Sequence, residues 1–166
     1  MKTEDTLTTL FSHHLWANLQ LAEACAKLSD EQLDSTIVGT FGTIRDTVQH
    51  MALSERGYFS RISTGQRYNR PDDAPALTMA EAVESFRTTG QGLVTWSTKV
   101  QPTDTVQIKW LHGEVVAVPL TLLLTQVINH ATEHRAQIMA ILTQLGVQPP
   151  SLDGWTYFAT QNGLPA

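Results

Sequence analysis

The chain has 166 residues, 42% of them hydrophobic, which suffices for one buried core and is too apolar for a disordered segment. Its formal charge of −5, with the basic residues scattered, excludes a sequence-independent nucleic-acid binder, and the apolar runs are far too short to span a membrane. The opening "MKTEDTLTTLFSHHLW" lacks the apolar stretch and cleavage site of a secretory signal, and the single cysteine, Cys25, excludes an internal disulfide; both lead to the expectation of a cytoplasmic protein.

From Thr6 to Leu28, apolar residues including Leu7, Leu10, Phe11, Leu15, Leu21 and Cys25 recur at helical spacing and predict a first helix. Cys25 lies on that seam with no cationic neighbour in sequence, so packing explains it and a nucleophilic role does not. "SDEQL" interrupts the pattern as a short turn-bearing segment. A second helix starts at Gly42-Thr43, where Thr43 and Asp46 have the spacing of a capping box, and runs to Gly65. "GQRYNRPDDAP" reads as loop, and Arg56, Arg61, Arg67 and Arg70 as a loose group on a solvated face. The third helix follows Thr78, carries Gly90 and Gly92 in its middle, uses apolar positions to Val100 and is closed by Pro102.

The period then changes. Val106, Ile108 and Trp110 alternate with Gln107 and Lys109, His112-Gly113 makes a turn, and Val116 and Val118 form a return strand, which together predict a small hairpin. Pro119 fits the first turn of a fourth helix that continues to Leu145 and ends at Gly146. The tail "SLDGWTYFATQNG" predicts one short helix with an aromatic face. The tryptophans, Trp16, Trp96, Trp110 and Trp155, are expected mainly in the core or at an interface. The fold class is therefore all-α: a four-helix bundle with a small β-hairpin in the crossover between the third and fourth helices.

The apolar seam of the fourth helix, Leu120, Leu124, Val127, Ala131, His134, Ile138, Ile141 and Leu145, includes a histidine. His130 precedes His134 by one turn, about 40° around the axis and roughly 6 Å along it, while Glu133, Arg135 and Gln137 are expected to point outward. A pair of hydrogen-bonded core histidines is one reading. The other is half of a metal site, since imidazoles at i and i+4 can share an ion. A third donor would come from a facing helix: His50 and His14 are close rivals, His13 cannot face inward together with His14, and His112 is expected to face solvent. Glu55, a charge on the seam of the second helix, fits either a buried ion pair or hydrogen bond, with Arg56 or an inward-turned Arg135, or the orientation of a ligating imidazole.

Three stretches carry a family resemblance: "HHLWANLQLAEACAKLSDEQL" from His13, "GTIRDTVQHMALSERGYFSRI" from Gly42 and "QVINHATEHRAQIMAILTQLG" from Gln126. In this order and separation they resemble the DinB family (DinB/YfiT-like metalloproteins) over nearly the whole chain, as a single domain over 1–166. Glu133 and Ala136 depart from the residues common at those positions. The resemblance implies one divalent metal ion, zinc or nickel, held by His50, His130 and His134, with His14 near the pocket. It also implies a homodimer, and a metal-dependent transferase or hydrolase activity using a low-molecular-weight thiol or water on a small electrophilic substrate. No catalytic base stands out, with Glu55, His14 and Asn18 as possible pocket groups. A non-catalytic bundle, with the metal in a structural or sensing role or with the histidines simply hydrogen-bonded in the core, is the competing class.

Overall fold

Short polar side chains set most of the helix boundaries. In the computed structural model, which describes residues 4–110 and 112–165, Asp5 caps α1 (Thr6–Cys25) through the Leu7 and Thr8 amides. Ser29 and Gln32 form a reciprocal capping box on the four-residue α2 (Asp30–Leu33). Thr43 caps α3 (Ile44–Thr64), which ends at Gly65 with φ +71°. Thr78 and Glu81 make a second capping box on α4 (Met79–Ser97). Each such cap satisfies amides that the helix itself cannot.

After α4 the chain forms β1 (Thr105–Lys109) and β2 (Val115–Pro119), an antiparallel pair with Val106 opposite Val118 and Ile108 opposite Val116. The long α5 (Leu120–Gln144) follows directly, and α6 (Gly154–Asn162) closes the chain. The four-helix bundle with its hairpin is thus the observed architecture, with α2 and α6 as short additions.

Four boundaries differ from the sequence reading. The first helix stops at Cys25, three residues before Leu28. The third ends at Ser97, so Val100 and Pro102 lie beyond it. Pro119 closes β2 opposite Thr105, with ψ 134°, and does not enter the first turn of α5. Extended backbone at Pro119 lets the next amide, that of Leu120, reach the Asp104 carbonyl at 2.9 Å. Trp110 falls just past β1, its amide donating to the Glu114 carbonyl across the turn.

Around the bundle the long helices follow the order α1, α4, α3, α5, and the α1–α5 side is the loosest. Gly90 and Gly92 sit where α4 comes closest to its neighbours. A Cβ on Gly90 would lie 2.5 Å from Leu15 Cδ1, and one on Gly92 would intrude on the ring of Phe59. The apolar core falls into two clusters. One holds Leu21, Cys25, Met51, Phe86 and Ile138; the other holds Phe11, Ile62, Leu93, Val127 and the hairpin residues Val106 and Val118. Between them lies a belt of buried polar side chains, His14, Asn18, Glu55, Thr89 and Arg135. None of the four tryptophans is fully buried. Trp110 and Trp155 are 48% and 84% exposed, because one ends a hairpin strand and the other starts a helix packed on one side only.

Candidate metal centre

His50 lies near the middle of α3, and His130 and His134 near the middle of α5, on the faces that these two packed helices turn to each other. One ring nitrogen from each of the three lies within 4.8 Å of the others. The Nε2 atoms of His50 and His130 are 2.9 Å apart. Two nitrogens bound to one ion at about 2.1 Å stand about 3.0 Å apart at a right angle and about 3.4 Å apart in a tetrahedron. The observed spacing is therefore that of ligands around an ion as well as that of a hydrogen bond, and the cluster could hold a metal. Among the described residues it is the one group of three or more His, Cys, Asp or Glu side chains so arranged.

The hydrogen bonds of Gln137 settle the tautomer of His134. Gln137 Oε1 accepts from the backbone amide of Phe41 at 3.2 Å and stands 3.0 Å from His134 Nδ1. A backbone amide can only donate, so the Gln137 atom is an acceptor and His134 Nδ1 must carry the proton. In the neutral ring that leaves the lone pair on Nε2, the tautomer a metal requires. Phe41 stacks on His50, with ring centroids 4.2 Å apart, and presents its ring edge-on to His134 at 5.2 Å. Tyr58 meets His130 edge-on at 5.7 Å. These rings limit water around the imidazoles. Burial, then the neighbouring His134 and His50, push the His130 pKa down to about 4, and burial followed by His134 lowers that of His50. Both are therefore neutral at physiological pH, as ligands must be. A cleft of about 400 Å³ lined by Phe41, Asp46, Gln49 and His50 opens beside the cluster.

His14, the rival for third donor, lies elsewhere. It is buried in the polar belt with Nε2 2.8 Å from Glu55 Oε2. The same oxygen accepts from Asn18 Nδ2 at 2.8 Å, and Thr89 donates to the other. Glu55 thus serves His14 and none of the clustered imidazoles. Of its two sequence readings the hydrogen-bonded one stands, though its partners are not the arginines expected there. Asn18 turns its carbonyl to Arg135 Nη1 at 2.7 Å, and Arg135 also donates to Thr132. This corrects the outward placement of Arg135, which is only 6% exposed. The expected seam covered one stripe of α5, whereas the helix buries one flank against α3 and another against α1. Burial lowers the Arg135 pKa to about 10, with Glu55 opposing the shift, so the guanidinium stays charged at neutral pH.

The remaining histidines are accounted for. His13 Nε2 lies 2.8 Å from the Leu152 carbonyl and anchors the segment before α6, and His112 is exposed in the hairpin turn. Cys25 is buried, and desolvation raises its pKa to about 12, which leaves it an inert core thiol. Neither Phe41 nor Gln137 was singled out by periodicity. Gln137 could have been found, since it follows His134 by three residues, within hydrogen-bonding reach on a helix.

A helical bundle with three convergent imidazoles between two facing helices defines the class: a small bundle protein with a site suited to a metal ion. The DinB family profile matches residues 1–164, and the chain belongs to that family. It is similar to "Protein DinB" of Bacillus subtilis (strain 168), with 25% identity over 156 residues, covering 89% of this chain and 91% of that protein. The fold also matches the crystal structure of a DinB-like protein from Bacillus cereus ATCC 10987. The TM-score is 0.59 at 16% identity, over 86% of this chain and 94% of that one. Among the described residues no helix is long and apolar enough to cross a membrane.

Proposed function

We propose that the chain holds one divalent metal ion, zinc or nickel, on His50, His130 and His134, and acts as a metal-dependent transferase on a small electrophile. The observation that carries this reading is the convergence of three ring nitrogens from two helices, with no carboxylate among them. An ion bound by three neutral imidazoles keeps its full charge and an open position, so it would supply Lewis acidity that lowers the pKa of a low-molecular-weight thiol or of water. Gln137 holds His134 in the ligating tautomer, and Phe41 and Tyr58 shield the imidazoles from solvent. Asp46 is the carboxylate among the residues lining the adjacent cleft, and is the candidate to accept a proton there. The apolar exposure of Trp155 and Phe158 on α6 supports a homodimer, which light scattering of the purified protein would test.

The deciding experiment is metal analysis of the purified chain and of His134→Ala. Stoichiometric zinc or nickel in the wild type and its loss in the variant are expected. No metal in the wild type, before or after incubation with either ion, would overturn the reading. Turnover of a thiol with a small electrophile, measured on the loaded protein, then separates a transferase from a bundle that uses the ion for stability alone.

A further inference from the structure

A second cavity, of about 500 Å³, lies between α3 and α4 under the loop that joins them. The floor carries Arg56 and the buried Ser85, and the rings of Phe59 and Tyr68 form walls. The sequence placed Arg56 on a solvated face; instead it is half-buried. Its Nε donates to Ser85 Oγ at 2.6 Å and its Nη1 to the Tyr68 hydroxyl at 3.2 Å, and the guanidinium carbon lies 5.9 Å from the Tyr68 ring centroid.

Arg56 lacks a carboxylate. Among the described residues no Asp or Glu oxygen lies within salt-bridge distance of it, and its two protein partners use only part of its five N–H donors. The acids nearby are committed elsewhere. Glu81 Oε2 accepts from the Thr78 amide and hydroxyl, both at 2.8 Å, and Glu84 faces Arg87 at 3.5 Å. A half-buried guanidinium, held in place by neutral hydroxyls with no carboxylate in contact, and with Glu81 only near enough to feel its charge, is a preorganised anion anchor. Glu81 and Glu84 at the exposed rim disfavour multiply charged anions such as phosphates. The aromatic walls favour an apolar body.

We propose that this cavity binds a small amphipathic monocarboxylate, its carboxylate on Arg56 and its apolar end against Phe59 and Tyr68. The site stands on a different face of α3 from His50 and does not depend on the metal reading.

The test uses 3-phenylpropionate as probe and 3-phenylpropanol as neutral isostere, titrated into the full-length chain in the presence of EDTA and followed by amide chemical shifts. Saturable binding of the carboxylate, with shifts centred on Arg56, Tyr68 and Ser85, is expected, at least about tenfold tighter than the alcohol. Arg56→Gln should weaken the carboxylate by about tenfold or more. Thr88→Trp, an exposed change at the cavity mouth that leaves the fold intact, should block both compounds. Equal affinity for acid and alcohol would overturn the proposal. So would binding that ignores both substitutions, shifts centred on the histidine cluster, or no saturation by about 10 mM carboxylate.

Discussion

Removing the carboxylate at the centre of the polar belt should destabilise the protein more than any surface change. Glu55 is 4% exposed and accepts from His14, Asn18 and Thr89. In Glu55→Ala these three donors lose their acceptor, Arg135 loses its nearby countercharge, and a cavity replaces the side chain. Breaking a buried charged pair costs about 3–5 kcal/mol, since the remaining polar groups cannot reach water. For a chain of this size that corresponds to a fall in Tm of roughly 10–15 °C. Glu55→Gln should be milder, about 1–2 kcal/mol. Its carbonyl can still accept from His14 and Asn18, while its amide donates to Thr89 Oγ1, whose single proton then turns from residue 55 to the Ser85 carbonyl, 2.8 Å away. Urea unfolding followed by circular dichroism measures both. An alanine variant within about 1 kcal/mol of wild type, or one no worse than the glutamine variant, would refute this account of the belt.

Gln137→Ala removes the acceptor that orients His134, and should weaken zinc or nickel binding roughly 10- to 100-fold in a chelator competition; unchanged affinity would show that the ring is held by packing alone. Gly92→Ala should destabilise by about 1–3 kcal/mol in urea, although alanine is the better helix former by about 1 kcal/mol, because the new methyl meets the Phe59 ring; a gain in stability would mean that the ring moves freely aside. The metal-free protein should lose stability as pH falls from about 6.5 toward about 4. His130 titrates near 4 when folded and near its ordinary 6.5 when unfolded, so over that window the unfolded chain takes up the proton first; His50 shifts in the same direction. His130→Gln should flatten that pH dependence of the urea midpoint, and an unchanged slope would assign it to other groups.

The starts of α3 and α4, the ends of α3 and α5 and the hairpin were legible because their causes are local. Thr43 and Thr78 cap helices within three residues of themselves, and Gly65 and Gly146 follow helix ends with positive φ. The pairing of His130 with His134 is equally local, a matter of one helical turn. Nothing local joins His50 to them across 80 residues, and spacing alone left it level with His14. The family resemblance favoured His50, and the structure places His50 in the cluster and His14 in the belt. The partner of Arg135, whose inward turn stood as one of two readings, and the place of Phe41 were not legible. Arg135 turns inward only because α1 supplies Asn18, and Phe41 belongs to an irregular segment with no period to read. For Trp110 and Trp155 the sequence left core and interface open, and both are exposed: hydrophobicity alone says nothing about which side of a short element is packed.

The polar belt has a bearing on how the histidine cluster is kept together. Each of the four long helices gives it at least one member, and a slip of any helix by one turn would strand a buried charge. The alignment of α3 with α5 is thereby set in part by carboxylate, amide and guanidinium. The spacing of His50 against His130 and His134 is thus held by side chains that take no part in the cluster.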